Sequence, residues 1–164
     1  MPKIIKDAAI IEDNWQLIAK SDSGEYSASD LPAGDLILPC KAFNELQADL
    51  NDRNVAVWLE SDETPSEINN LENAEFVAIN FPAFADGRGY SYAHKLRMQL
   101  NFDGEIRAVG DVLQDQLFYM LRVGFTSFAM REDQNLEQAL ERFKDFSMNY
   151  QGAVEQREPL FVRR

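Results

Sequence analysis

The densest chemistry in the chain lies in the stretch Phe81 to Ser91, where Asp86 and Arg88 stand among two glycines, Gly87 and Gly89. An apolar run from Phe76 to Phe81 precedes them and an amphipathic stretch follows, so they occupy a strand-to-helix turn. Such a turn aims backbone amides and a guanidinium at a common point, which is chemistry for holding an anion or a carboxylate-bearing ligand. Arg88 is the strongest candidate ligand-binding residue. Folding rarely needs an arginine at a loop apex, whereas oxyanion recognition uses its planar fork of donors. Gly87, Gly89, Tyr90 and Ser91 complete the candidate site. The competing reading is local: the glycines serve a tight turn that needs positive φ, and Ser91 caps the helix.

Two further loops carry concentrated polar chemistry, Glu60 to Glu63 and Gly110 to Asp115. In parallel α/β architectures, loops after successive strands share the carboxyl edge of the sheet. Asp86, Arg88, Asp111 and Asp115 are therefore expected to converge, with Gln116 nearby as a ligand contact. Asp86, Asp111 and Asp115 are the candidates for an acid/base or a Mg²⁺ ligand, if catalysis occurs. Arg107 sits in an otherwise apolar strand, and a charge there needs a partner; Asp86 and Asp111 are the natural choices. The local alternatives are that Asp111 is an N-cap and Arg107 a structural ion pair.

Other residues carry less. Gly87-Arg88-Gly89 lacks the third glycine of a dinucleotide fingerprint. A single cysteine, Cys40, makes no disulfide or Fe–S cluster alone, and a single histidine, His94, makes no multi-histidine metal site. No metal and no cofactor are expected, and the protein should be colourless. His94 reads as a helix-surface residue. Phe118, Tyr119 and Phe125 read as core or dimer packing.

These residues must be positioned by regular elements. Ala8 to Ile11 and Trp15 to Ala19 flank the turn-forming Glu12-Asp13-Asn14, which predicts a hairpin. Ser21 to Asp35 reads as loop, Leu36 to Leu38 as a short strand, and Phe43, Leu46 and Leu50 share a helical face. Val55–Leu59, Phe76–Phe81, Glu105–Val109 and Thr126–Met130 then read as strands. A helix is expected after each. The first is opened by the capping box Thr64-Pro65-Ser66-Glu67, with Ile68 and Leu71 behind it. The second spans Tyr90 to Leu100, with Ala93, Leu96 and Leu100 inward. The third carries Leu113, Leu117, Met120 and Leu121, and the fourth Leu136, Leu140, Phe143 and Phe146. The fold class is thus α/β: four consecutive strand–helix units with parallel strands, as an open sheet or half-barrel, preceded by an N-terminal hairpin. Residues 1–164 read as a single domain: a hairpin and loop region over 1–38, the core over 39–150, and a loose C-terminal tail over 151–164.

Composition bounds the function. The chain has 164 residues, 45% of them hydrophobic, enough for one real core. Its 28 acidic against 16 basic residues give a net charge of -12, which argues against nucleic acid or an anionic membrane as partner. No run approaches a membrane span and the N-terminus lacks a signal-like apolar stretch, so a cytoplasmic location is expected.

Taken together, Phe81-Pro82-x-Phe84-x-Asp86-Gly87-Arg88-Gly89-Tyr90-Ser91, Leu96-Arg97, Arg107-Ala108-x-Gly110-Asp111-Val112-Leu113-x-Asp115-Gln116 and Arg122-x-Gly124-Phe125 resemble a bacterial family. It is a domain of unknown function whose members are labelled as an oxidoreductase of sulfite reduction. The resemblance spans roughly Leu36 to Tyr150. It implies a role beside sulfite reductase and sulfate assimilation. The residues supply no redox cofactor motif, so an accessory role is expected, through binding a small oxyanion or docking on the reductase. The alternatives are an enzyme using Asp86 or Asp111, and a structural interaction module, with a homo-oligomer as a further candidate assembly.

Overall fold

Apolar runs that show no polar alternation belong to strands covered on both faces, and this chain has several. The computed structural model describes residues 2–83 and 85–144. Its strands are β1 (Lys3–Lys6), β2 (Ala9–Glu12), β3 (Gln16–Leu17), β4 (Leu36–Pro39), β5 (Val55–Leu59), β6 (Phe76–Phe81), β7 (Glu105–Gly110) and β8 (Ser127–Phe128). The helices are α1 (Cys40–Leu46), α2 (Arg88–Met98), α3 (Leu117–Val123) and α4 (Leu136–Lys144). All eight strands form one mixed sheet in the order β2-β1-β8-β7-β6-β5-β4-β3. From β3 to β8 each strand lies parallel to its neighbour, while β1 runs antiparallel to both β2 and β8.

The sheet is open but strongly curled, a half-barrel, and one connection shows why. Laid flat, eight strands spaced ~4.8 Å apart would put the edges roughly 34 Å from each other. The edge strands are β2 and β3, joined only by Asp13, Asn14 and Trp15. That length of chain reaches at most ~14 Å from Glu12 to Gln16. The edges must therefore bend towards each other, with the connection crossing the inner face. Trp15 packs edge-on against Phe76 at 4.8 Å between ring centres, and the Trp58 indole donates to the Ile18 carbonyl at 3.0 Å.

Successive residues of each strand face opposite ways. Val57, Leu59, Val77, Ile79, Ile106, Ala108 and Phe128 face outward into the main core, where Phe43, Leu46, Ala93, Leu96, Leu117 and Met120 of the helices cover them. Ile37, Ala56, Trp58, Phe76, Ala78 and Val109 face inward to a smaller cluster closed by Trp15.

Several sequence expectations are corrected here. The N-terminal hairpin pairs Ala9–Glu12 with Lys3–Lys6, not with Trp15 to Ala19, whose Gln16 and Leu17 join the opposite edge beside β4. The capping box at Thr64 is formed, but it opens a single 3-10 turn, Pro65–Glu67, with a second at Leu71–Asn73. The extended conformation of Ile68 ends the first turn, so β5 has no helix after it and the run of four strand–helix units is broken. Leu96 of α2 is fully buried, whereas Leu100 lies beyond the helix and is 38% exposed. Phe146 and the tail 151–164 lie outside the described residues. No helix among the described residues is long and apolar enough to cross a membrane.

Candidate functional site

The loops after β6, β7 and β8 are stitched together at the carboxyl edge by backbone bonds. The amide of Asp111 donates to the Phe81 carbonyl at 2.7 Å, and that of Arg131 donates to the Val112 carbonyl at 3.1 Å. Within this edge, the turn from β6 into α2 folds around Asp86. Its carboxylate accepts from the Arg88 amide at 3.1 Å, satisfying a donor of the first helical turn, as aspartates before helices do. It also takes the Arg88 side chain in two bonds, from Nε at 3.0 Å and Nη2 at 2.7 Å. Nη2 donates further to Ser61 Oγ at 2.9 Å, and the Tyr92 hydroxyl donates to the Ser61 carbonyl at 2.7 Å. Arg88 thus ties the loop after β5 to the start of α2 while its side chain stays 56% exposed. Hydrogen bonds from Arg88 hold the Asp86 carboxyl at about 2, so it is ionised at neutral pH.

The two glycines differ. A Cβ on Gly89 would come within 2.6 Å of the Phe81 ring, so this position must be bare for α2 to lie against β6. A Cβ on Gly87 would meet nothing nearer than Tyr90 at 4.0 Å. Neither has positive φ, which corrects the reading of both as turn glycines. Tyr90 is half-buried; burial raises its hydroxyl pKa, opposed by its hydrogen bond to Gln116. Gln116 also accepts from the Leu113 amide at 3.1 Å. Ser91 is exposed inside α2, three residues past the helix start, so it is no cap.

The remaining candidates are distributed over separate ion pairs. Asp111 accepts from Arg131 Nη1 at 2.7 Å, and Arg131 grips Asp133 at 2.6 and 2.7 Å. Asp115 pairs with Arg142 at 2.7 Å. Asp86, Asp111 and Asp115 are each matched by a different arginine instead of meeting around Arg88. Asp111 does not cap α3, because a 3-10 turn, Gln114–Gln116, intervenes and its cap position is Leu113. Arg107 joins neither Asp86 nor Asp111. It points to the inner face, 3% exposed, bonded to Asp13 at 3.1 Å and Glu105 at 2.9 Å, with its guanidinium 4.0 Å from the Phe76 ring centre. Lys6 and Ser127 also bind Glu105, at 2.6 and 2.5 Å. Burial pushes the Glu105 carboxyl up, but the bonds from Lys6, Ser127 and Arg107 outweigh it and hold the group below its usual range. Arg107 is a structural ion pair.

Three contributors were not singled out from the sequence: Ser61, Arg131 and Asp133. Arg131 and Asp133 repeat the two-residue spacing of Asp86 and Arg88 in reverse order, a signal that marks both. The motif arginine Arg97 is also structural. It donates to the Gly124 carbonyl at 2.8 and 3.2 Å and to those of Phe102 and Gly104 at 2.6 Å, clamping α2 to the chain around it. Cys40 is buried, and burial with nearby Glu63 and Glu67 pushes its thiol up to about 11, which leaves no reactive thiolate at neutral pH. Among the described residues no group of three or more His, Cys, Asp or Glu side chains is placed to hold a metal ion.

A family described as a bacterial protein of unknown function (DUF934) matches residues 56–161. The chain belongs to this family. The DUF934 match begins in β5 and takes in Ser61, the Asp86–Arg88 turn, Asp111 and Arg131, so the whole stitched edge lies inside it. The hairpin, β3, β4 and α1 lie before it. A search of curated proteins finds no match.

Proposed function

We propose that this DUF934 protein is an accessory of sulfite reduction and sulfate assimilation that docks on sulfite reductase through the loops around Arg88. The observation that supports this reading is Arg88 itself: an exposed guanidinium fixed in place by Asp86 and Ser61. Holding a long side chain in one geometry ordinarily costs rotamer entropy on association, and here much of that entropy is already lost. Arginine is also among the residues that most often dominate an interface. Its charge is matched by Asp86, and Arg131 is shared by Asp111 and Asp133, so the arginines offset part of the acidic charge at this edge. General-base work suits Asp86 poorly, because a carboxyl held at about 2 has little affinity for a proton at neutral pH.

A second form of the reading, a small oxyanion held at the same turn, is favoured by Gly87. The chain's own packing leaves space where its Cβ would stand, beside the first turn of α2, whose Arg88 amide already holds the Asp86 carboxylate. Titration of purified sulfite reductase with wild type, Arg88→Lys and Arg88→Ala separates the forms. Docking through Arg88 requires Arg88→Ala to weaken binding by roughly thirtyfold, about 2 kcal/mol, with little rescue by lysine. The oxyanion form requires sulfite, sulfate or phosphate to raise the melting temperature of wild type but not of Arg88→Ala. Unchanged reductase binding by a folded Arg88→Ala protein sinks docking, and no shift with any of the three anions sinks the oxyanion form.

A further inference from the structure

The faces of α2 and α3 that look away from the sheet leave a groove of about 470 Å³ between them. Tyr90, His94 and Lys95 of α2 and Gln99 just past its end line one wall, and Tyr119 and Val123 of α3 the other. Tyr90 and Tyr119 meet edge to face at 5.0 Å, giving the groove an aromatic base, yet Tyr119 remains 52% exposed. Met98 stands one turn beyond His94 on the same side of α2 and is 44% exposed. Large apolar side chains left open along two adjacent helices mark an interaction surface more often than a solvated one. From Tyr90 to Gln99 the groove runs ~13 Å, enough for two to three turns of a partner helix.

Charge selects the partner. Acidic residues outnumber basic ones 28 to 16 in the chain, but the groove lining contains Lys95 and His94 and no carboxylate. The exposed arginines of the carboxyl edge, Arg88, Arg131 and Arg142, are each held by an aspartate. Among the described residues no carboxylate pairs with Lys95. Despite the acidic charge of the whole chain, a cation left unmatched beside an aromatic groove complements, at short range, a carboxylate on the segment that enters it.

We infer that the α2–α3 groove receives an acidic amphipathic helix of a partner protein, with apolar residues against Tyr90 and Tyr119 and carboxylates towards Lys95 and His94. This is helix-in-groove recognition, in which anchors one turn apart fill an apolar channel. It uses a different face from the Arg88 edge and does not depend on that edge docking anything.

The test uses a fluorescein-labelled synthetic helix of about four turns, with leucines on one face and glutamates flanking them, and a counterpart in which lysines replace the glutamates. Fluorescence anisotropy with the full chain should show the acidic peptide binding and the basic one failing. Added salt should weaken the acidic complex. Tyr119→Ala and Lys95→Glu, each checked for an unchanged melting curve, should lower affinity about tenfold or more. Arg88→Ala should leave it unchanged, which separates this surface from the docking edge. The inference is overturned if the acidic peptide does not bind, as when a second copy or the chain's own C-terminal segment fills the groove. It is equally overturned if both peptides bind alike, or if Tyr119→Ala and Lys95→Glu bind as wild type.

Discussion

Two arginine–carboxylate pairs in this molecule share chemistry and spacing and differ in everything else. Glu105 and Arg107 lie two apart on β7, facing the inside of the curl, with Arg107 only 3% exposed. Asp86 and Arg88 lie two apart in the turn after β6, and Arg88 is 56% exposed. The buried pair is completed by Asp13 from the crossing connection and by Lys6 from β1, so it fastens the N-terminal strands to the central sheet. The exposed pair is completed by Ser61, leaving the guanidinium open to a partner. An ion pair acquires its role from what surrounds it. Inside, losing one member strands charges in low dielectric; outside, water takes over.

Arg107→Ala should break this contrast most violently. Asp13 would lose its arginine and Glu105 would keep only Lys6 as a cationic partner, a loss of about 3–5 kcal/mol read from urea unfolding midpoints. Leu96→Ala should cost on the order of 2–5 kcal/mol by the same measurement, because this side chain is fully buried between α2 and the sheet. Gly89→Ala should cost about 1–3 kcal/mol as its methyl is driven into the Phe81 ring, whereas Gly87→Ala should stay within about 0.5 kcal/mol of wild type. Equal effects at the two glycines would mean α2 does not lie on β6 as described.

Acid should sharpen the comparison. The Glu105 carboxyl is held below its ordinary range when folded, so its contribution is complete above about pH 4.3 and fades as the pH falls through the lowered value. Wild type should therefore exceed Glu105→Gln in stability at neutral pH, with the gap closing as the pH falls below the ordinary carboxylate range. Arg88→Ala should have the smallest effect on folding, within about 0.5 kcal/mol, although it removes the proposed docking contact. A large loss of stability there would make Arg88 a second Arg107.

Much of the sheet was legible because Val55–Leu59 is an unbroken apolar run and Phe76–Phe81 and Glu105–Val109 are mostly apolar, interrupted by Asn80 and by Glu105 and Arg107; the three pair in parallel. Pairing at the N-terminus was not legible, since Lys3–Lys6 offers only two apolar residues and its choice of β8 depends on the curl. The partner of Arg107 was out of reach for the same reason: Asp13 is 94 residues away and arrives only through the crossing connection. At the candidate site, the Asp86–Arg88 contact was readable from adjacency. Separation of Asp111 from it was not, because Arg131 competes for that carboxylate from the next loop.

The crossing connection also sets the molecule's tolerance for change in length. Every other pair of consecutive strands lies side by side in the sheet, so extra residues between them would only enlarge a surface loop. Asp13, Asn14 and Trp15 instead link opposite edges, and their number fixes how far those edges can part. Lengthening this tether by a few residues would relax the radius of the entire curl, drawing Trp15 off Phe76 and Asp13 off Arg107 in one step. In this fold, curvature is inherited as a residue count.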